Sequence, residues 1–326
     1  MRDDQTYKSF LLFVTGPLLH FAGFNCMRHT VSFLRSRFEQ AGLAPVTKYG
    51  QNFLIDLNLQ DLILSSANVD EKDIVLEVGT GTGAITAELA QKAKHVVTVE
   101  IDPYLYQMAR EEMKEHSNVT MLKQDALHNK NRLHPNVMAA VKKAYNSEPN
   151  LRFKLVANLP YNVATPIISN LLTTEIVPDL MSVTIQKELA QKIVAKPTTS
   201  QYNALSIWMQ ALCNCEIIRF MPPSVFWPAP KVDSAILRIQ PDPKKRAQIP
   251  NLRYFHQLVR ALFFHRRKFL RANLLGAFKG ILTKSEVDNL MESQGLAGNC
   301  RAEELNVGEF IALCEGAIAV APDFKL

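Results

Sequence analysis

The stretch that decides the fold reads Asp73-Ile74-Val75-Leu76-Glu77-Val78-Gly79-Thr80-Gly81-Thr82-Gly83-Ala84. Its first six residues form the short apolar run of a buried strand, and residues 85–93 carry apolar side chains at helical spacing. The glycines between them let the backbone turn tightly, approach a ligand closely and expose the amides of a helix N-terminus. The stretch therefore predicts a strand–loop–helix unit with a ligand at its loop.

Two further strand-like runs indicate that this ligand is a nucleoside. Residues 95–99 end at Glu100, twenty-one residues after Gly79. A carboxylate at the tip of a second strand can accept hydrogen bonds from both ribose hydroxyls. Residues 119–124 end at Asp125, which can accept from an adenine amine or, alternatively, cap a helix.

Two cofactor classes fit this pattern. Gly79, Gly81 and Ala84 loosely satisfy the dinucleotide fingerprint, so NAD is one alternative. Glu77, two residues before the first glycine, and the additional Gly83 look more like the E-x-G-x-G-x-G loop of class I S-adenosylmethionine methyltransferases. A glycine-rich turn without a ligand is the remaining explanation, and the strand–loop–helix context disfavours it.

A second candidate site is the tetrad Asn158-Leu159-Pro160-Tyr161, which follows the apolar run 153–157. In an open α/β sheet, ligands bind at the carboxyl ends of strands. The tetrad offers a side-chain amide, a backbone carbonyl before proline and an aromatic face. An exocyclic amine on a flat heterocycle needs two acceptors and one ring on which to stack. An ordinary turn after a strand is the alternative explanation.

Residues 222–231 contain four prolines together with Phe226 and Trp227. This composition predicts a stiff loop that is neither helix nor sheet. Phe226 would provide the second ring for stacking a flipped-out base. Burial of both aromatic rings in the core competes with this interpretation, and for Trp227 we favour burial.

The charge distribution points to an anionic partner. The net charge is +6 and the pI is near 9.0. Residues 243–285 contain no Asp or Glu but eleven Lys or Arg, with apolar residues such as Leu258 and Leu262 at helical positions. Such runs are usually solvated faces, but this one-sided window predicts a small helical domain that binds a polyanion.

The remaining chain suggests a cytosolic protein with an N-terminal extension. Five cysteines form neither a zinc-type pattern nor an even disulfide set, so we expect reduced thiols. Residues 10–24 are apolar but broken by Gly16-Pro17 and too short to span a bilayer. We predict three segments: 1–45, an extension and basic arm whose residues 1–26 pack poorly; 46–241, a methyltransferase domain; and 242–326, a basic helical RNA-binding domain.

Nine ordered motifs between about Lys48 and Val307 carry a resemblance to a known family. They are Gly50-Gln51-Asn52-Phe53-Leu54, Glu77-Val78-Gly79-Thr80-Gly81, Val99-Glu100-Ile101-Asp102, Gln124-Asp125-Ala126, Asn158-Leu159-Pro160-Tyr161-Asn162, Gln186-Lys187-Glu188, Pro222-Pro223-Ser224-Val225-Phe226, Pro230-Lys231-Val232-Asp233-Ser234 and His265-Arg266-Arg267-Lys268. Together they resemble the 16S ribosomal RNA adenine dimethyltransferases. Residues 1–26, the polar connection 127–150 and Asn203, where the family often has Gly, depart from its pattern.

The resemblance implies an α/β fold of the class I methyltransferase (Rossmann-like) type, with a mostly parallel sheet, helices on both faces and a small C-terminal helical domain. It also implies transfer of four methyl groups from S-adenosylmethionine to two adjacent adenosines near the 3′ end of small-subunit rRNA. The protein would act on an assembling subunit in the cytoplasm, as a monomer in the simplest interpretation, without a metal.

The resemblance assigns roles to individual residues. The cofactor would contact Asn52, Leu54, Gly79, Gly81, Glu100, Asp125 and Asn158. The Asn158 side chain and the Leu159 carbonyl would hold the target amine, and adenine would lie between Tyr161 and Phe226. RNA would contact Arg260, Arg266, Arg267, Lys268 and Arg271.

Three alternatives remain open. A DNA adenine methyltransferase shares the tetrad, but typically has Pro where Leu159 stands and a larger target-recognition domain. A 23S rRNA methyltransferase that confers macrolide resistance resembles the chain closely, although the Phe53 region and residues 222–234 favour the 16S enzyme. A protein that mainly checks small-subunit assembly by binding RNA is the third alternative.

Overall fold

The computed structural model describes residues 31–325, so the prediction for residues 1–26 lies outside the described part. The strands are β1 (Phe53–Leu54), β2 (Asp73–Val78), β3 (His95–Glu100), β4 (Val119–Lys123), β5 (Leu127–Asn129), β6 (Arg132–Leu133), β7 (Arg152–Asn158), β8 (Leu180–Gln186), β9 (Cys213–Met221), β10 (Phe226–Trp227) and β11 (Ser234–Pro241). The helices are α1 (Val31–Gln40), α2 (Leu57–Ala67), α3 (Ala84–Lys92), α4 (Pro103–Glu112), α5 (Pro135–Tyr145), α6 (Ala164–Leu171), α7 (Lys187–Ile193), α8 (Ala204–Leu212), α9 (Pro243–Ala247), α10 (Leu252–Phe263), α11 (Leu270–Ala277), α12 (Lys284–Ser293) and α13 (Val307–Val320).

The chain divides into two compact units. Unit 1 contains the described residues up to Arg152, together with Val156–Ala164 and Pro222–Lys231. Unit 2 contains Phe153–Leu155, Thr165–Met221 and Val232–Leu326. These units do not follow the predicted boundary between residues 241 and 242, because Thr165–Met221 groups with the C-terminal helices. Compact units need not coincide with functional domains, and the three predicted domains stay a prediction.

Unit 1 contains the parallel part of the sheet. Strands β4, β3 and β2 lie side by side in this order and pair in parallel, and the carboxyl-terminal half of β7 lies next to β2. Every residue of β2 is buried, which explains its nearly continuous apolar sequence. Helices α3 and α4 pack against β3, and α5 packs against β2 and β3. This arrangement places the ends of β2, β3 and β7 at one edge.

Helix α1 and the strand pair β1–β10 also belong to unit 1. Strand β1 pairs with β10 in antiparallel register, with Phe53 opposite Trp227 and Leu54 opposite Phe226. The buried Phe38 of α1 places its ring edge-on to Phe53 at 5.5 Å and to Trp227 at 5.2 Å between centroids. Helix α1 thus packs against strands β1 and β10.

The prediction that residues 222–231 form neither helix nor sheet is wrong. Pro223–Val225 is a 3₁₀ turn and Phe226–Trp227 is strand β10. The four prolines lie outside β10, so its two residues keep their backbone N–H groups. The amide of Ile55 also donates to the carbonyl of Val225 at 2.9 Å, which extends the pairing by one hydrogen bond.

Unit 2 combines an antiparallel part of the sheet with a helical region. Strand β11 lies between β8 and β9 and is antiparallel to both, and the middle of β7 lies next to β8. Helix α10 buries one apolar face, including Phe255 and Leu262, and packs against α8, α11 and α13. The predicted helical character of the basic window is confirmed. Among residues 31–325, no helix is both long and apolar enough to cross a membrane.

Candidate active site

A cavity of about 280 Å³ lies in unit 1 at the carboxyl ends of β2, β3 and β7. This is close to the lower end of the range of about 300–1,000 Å³ that is typical of small-molecule sites. Three parts of the chain contribute most of the walls: the segment 48–53, the loops after β2, β3 and β4, and the segment 158–163. The lining includes Asn52, Gly79, Gly81, Glu100, Asp125, Asn158, Leu159 and Tyr161, all of which were predicted site residues.

Glu100 connects the end of β3 to the glycine loop. Its Oε2 accepts from the amide of Gly81 at 2.8 Å, and its Oε1 accepts from the amide of Asp102 at 2.9 Å. Burial raises the pKa of Glu100 to about 7, against which these two backbone hydrogen bonds act. Since a carboxylate has about four acceptor positions, Glu100 can still accept from a ligand that carries hydroxyl groups.

Glu77 has a different role, although it also belongs to the glycine motif. The hydroxyls of Thr86 and Thr98 donate to its Oε2 at 2.5 and 2.6 Å, and the Thr80 hydroxyl lies 2.6 Å from that of Thr98. Burial raises the pKa of this carboxyl to about 8. Glu77 therefore joins β2, β3, α3 and the loop, and it does not line the main cavity.

The glycine loop has the backbone conformation that the sequence predicted. Gly79 and Gly81 have φ values of +87° and +58°, which favour glycine. A Cβ atom on Gly79 would lie 3.4 Å from the ring of Pro160, and one on Gly81 would lie 3.3 Å from the ring of Phe53. The loop is thus packed directly against the tetrad and against strand β1.

The side-chain amide of Gln51 fixes the segment 48–53. Gln51 accepts from the amide of Val46 at 2.6 Å and donates through Nε2 to Asp102 Oδ2 at 2.9 Å. Asp102 is the N-cap of α4, so the same carboxylate holds both the helix and the cavity wall. Gln51 was not among the predicted site residues. Nothing in the sequence indicates a partner that lies fifty-one residues further along the chain.

Asn158 is oriented by the opposite wall of the cavity. Its Nδ2 donates to the backbone carbonyl of Asn52 at 2.9 Å. This bond uses the donor end of the amide, so its Oδ1 remains as an acceptor. The Leu159 side chain is buried, while Tyr161 is half-buried and lines the cavity. Asn158, Leu159 and Tyr161 therefore all line the cavity, and their contacts with a target amine stay a prediction.

Two predicted site residues lie outside this cavity. Leu54 is buried, and its carbonyl accepts from Gln60 Nε2 at 2.6 Å. Phe226 is only 3% exposed and pairs with Leu54 in the β1–β10 ladder. Trp227 is the less buried of the two aromatic residues, contrary to our preference. Stacking of Phe226 on adenine stays a prediction, for which the buried ring would have to become accessible.

The five predicted RNA-binding cations fall into two groups. Arg266 donates to the carbonyl of Ser200 at 2.9 Å, and Arg271 forms a bidentate pair with Asp288 at 2.5 and 2.8 Å. Arg260, Arg267 and Lys268 are exposed and have no ion-pair partner among residues 31–325. The second group is therefore available to an anionic ligand.

A family model and curated relatives match most of this chain. Residues 45–317 match the family model for ribosomal RNA adenine dimethylase. The chain belongs to the ribosomal RNA adenine dimethylase family. A protein of Caldanaerobacter subterraneus subsp. tengcongensis named ribosomal RNA small subunit methyltransferase A is 37% identical over 82% of this chain and 94% of its own length. A protein of the same name from Ligilactobacillus salivarius is 36% identical over 87% and 94%.

Solved structures support the same fold. A dimethyladenosine transferase from Plasmodium falciparum has a TM-score of 0.67 at 24% identity and covers 80% of this chain and 95% of its own. The 23S rRNA methyltransferase ErmE has a TM-score of 0.58 at 25% identity and covers 81% and 99%. The class I methyltransferase fold is therefore confirmed.

Family membership makes the protein an S-adenosylmethionine-dependent methyltransferase of ribosomal RNA adenine. The residues of the cavity fit this cofactor. Glu100 and Asp125 place carboxylates in the lining, which are groups that can accept from ribose hydroxyls and an adenine amine, and Ile101 and Leu105 add apolar surface. NAD is not the cofactor that the family uses, and that alternative is set aside.

Proposed function

We propose that the protein dimethylates N6 of two adjacent adenosines in the 3′-terminal hairpin of 16S rRNA, within an assembling small ribosomal subunit. It would act in the cytoplasm and as a monomer. The observation that carries the proposal is the hydrogen bond from Asn158 Nδ2 to the Asn52 carbonyl, which leaves the Asn158 oxygen as an acceptor beside Tyr161. The names of the curated relatives support the small subunit as the substrate.

The tetrad would act by positioning the amine. The N6 lone pair of adenine is delocalised into the ring, which makes the amine a poor nucleophile. The Asn158 Oδ1 and the Leu159 carbonyl would accept its two N–H bonds, favouring a pyramidal nitrogen whose lone pair is free to attack. S-adenosylmethionine supplies the electrophilic methyl group. Positioned acceptors that match the geometry of the transition state are the main source of rate enhancement in such a site.

The second methyl transfer places a further demand on the tetrad. After the first transfer one N–H has been replaced by N–CH₃, and the displaced proton has left for solvent. Only one of the two acceptors then has a donor, so the monomethylated amine is held by one hydrogen bond and by stacking on Tyr161. Because one bond is lost, we expect the second transfer to be slower than the first.

The cofactor would be held by the residues at the strand ends. Glu100 would accept from the ribose hydroxyls and Asp125 from the adenine amine, while the loop at Gly79 and Gly81 gives room for close approach. Asn52 would contribute through the backbone that orients Asn158. Leu54 is buried outside the main cavity and would stabilise the position of the adjacent lining residue Phe53.

Replacing Asn158 by Ala tests the proposal. Loss of one positioned polar group in an active site typically lowers kcat by about 10²–10³-fold, so we expect that loss with the affinity for the cofactor partly retained. Transfer of a labelled methyl group to unmethylated small subunits measures it. Asn131→Ala, in the exposed turn between β5 and β6, is the matched control and should behave as wild type.

The substrate range of the wild-type protein decides between the alternatives. Transfer to large subunits, with none to small subunits, would favour a 23S enzyme, to which the similarity with ErmE also points. Transfer to duplex DNA would favour a DNA enzyme. Tight binding to small subunits without transfer would favour the assembly checkpoint. Unchanged methylation of small subunits by Asn158→Ala would contradict the proposed role of the tetrad.

A further inference from the structure

Phe264 is the most solvent-exposed large apolar residue in the described part of the chain, with 81% of its surface accessible. It begins the turn 264–268 between helices α10 and α11 of unit 2. Its only ring contact among residues 31–325 is an edge-on one with the neighbouring His265, at 5.0 Å between centroids. An apolar ring in water is unfavourable, so this exposure calls for a physical reason.

The exposure does not come from a loosely held backbone. The buried Asn273 donates through Nδ2 to the carbonyls of Leu262 and His265 at 3.1 and 3.2 Å. Arg266 donates to the carbonyl of Ser200, and the amide of Lys268 donates to the His265 carbonyl at 2.8 Å. Hydrogen bonds within the turn and to residues outside it thus hold its backbone in place. The ring of Phe264 is exposed to solvent on this ordered backbone.

The surroundings of Phe264 are cationic. Arg260 precedes it by one helical turn, and Arg267 and Lys268 follow it in the same turn. All three are exposed and have no ion-pair partner in the described part of the chain, and residues 243–285 contain no acidic residue. An exposed aromatic ring between unpaired cations is the combination that binds unpaired nucleotides, because the ring stacks on a base while the cations neutralise the adjacent phosphates.

We propose that Phe264 stacks on an unpaired base of the ribosomal RNA, at a site separate from the methylation cavity, with Arg260, Arg267 and Lys268 on the neighbouring phosphates. The inference rests on the proposed function, from which it takes rRNA as the partner. The RNA must be unpaired there, since the bases of an A-form helix are stacked on one another and present no free face. Arg266 and Arg271 would position the turn and the adjoining helix, not the RNA.

Three substitutions at Phe264 separate stacking from simple apolar contact. Phe264→Ala removes the ring, Phe264→Leu keeps apolar volume without a π face, and Phe264→Trp keeps the face. Because stacking on one base corresponds to about a 5- to 150-fold change in affinity, we expect Ala and Leu to weaken the binding of unmethylated small subunits by roughly tenfold. Trp should bind at least as tightly as Phe, and its fluorescence should be quenched when subunits are added.

Two controls assign the effect to the ring. Val320→Ala removes an exposed apolar side chain on α13 of the same unit and should leave binding unchanged. Arg267→Gln should lower the slope of log Kd against log salt by about one, because one phosphate contact is lost. The Phe264 variants should keep the wild-type slope, since they change no charge.

The outcomes are distinct from those that test the proposed function. Affinity retained by Leu but lost by Ala would identify an apolar protein surface as the partner and overturn base stacking. Equal affinity of all three variants and wild type would overturn any role of Phe264 in binding. If wild-type protein fails to methylate small subunits at all, the proposed function fails, whatever the Phe264 variants do.

Discussion

Raising the pH from 6 to 8 should strengthen the binding of a nucleoside to the cavity, and replacing Glu100 by Gln should remove this effect. Burial holds the pKa of Glu100 at about 7 in the free protein. Ribose hydroxyls donate hydrogen bonds and therefore bind the carboxylate better than the carboxylic acid. Binding lowers the pKa of Glu100, so a proton is released and affinity rises with pH.

The size of the effect follows from the ionised fraction. With a pKa of about 7, Glu100 is ionised in about one tenth of the molecules at pH 6 and in about nine tenths at pH 8. If only the ionised form binds, the apparent Kd falls by roughly tenfold across this range, which corresponds to about 1.4 kcal/mol. A ligand that also binds the protonated form would show a smaller change in the same direction.

Calorimetric titration with 5′-methylthioadenosine measures this change without interference from an amino-acid tail, whose amine would titrate nearby. Asp125→Asn is the matched control, since it removes a carboxylate at another cavity position. It should lower affinity at every pH while keeping the ratio between pH 8 and pH 6. Equal affinities of wild type at the two pH values, or an undiminished ratio in Glu100→Gln, would refute the reasoning.

Two further predictions concern the support of the site. Burial raises the pKa of Glu77 in the folded protein to about 8, from its ordinary value of 4.5. Its contribution to stability is therefore complete below pH 4.5 and is lost as pH rises through 8, by roughly 5 kcal/mol at most. Glu77→Gln should flatten this loss, measured as the difference between the free energies of unfolding by urea at pH 5 and pH 8. Phe38→Ala should destabilise the protein by about 3–5 kcal/mol and weaken cofactor binding, because the Phe38 ring supports Phe53, which contacts the glycine loop; an unchanged urea midpoint would contradict this.

Local sequence was sufficient to predict the bounds of elements whose apolar runs begin and end abruptly. Strand β2 has the predicted bounds, because its buried apolar run is closed by the glycine that follows it. The β5–β6 hairpin was missed within the polar connection, since strands of three and two residues leave no periodic pattern. Helix α5 in the same connection does have such a pattern, with Val137, Val141 and Ala144 buried at helical spacing.

The sites of Phe226 and Arg271 show what local sequence could not reveal. Phe226 lies in a proline-rich segment that suggests exposure, but its strand partner is Leu54, far away in the chain. Arg271 lies in a basic window, yet its partner Asp288 lies just beyond the end of that window. In both cases a long-range partner decides the environment, and a motif read by itself overestimates how many of its members face a ligand.

The two carboxyls of the site illustrate how structure divides roles that a motif leaves together. Glu77 accepts from threonine hydroxyls of its own unit, whereas Glu100 accepts from backbone amides and lines the cavity. A negative charge on Glu100 further raises the pKa of Glu77. When a bound ribose ionises Glu100, Glu77 is therefore held more firmly in its neutral form. The buried pair then carries a single charge, which lies at the ligand, while the neutral carboxyl keeps the threonine contacts that hold the glycine loop.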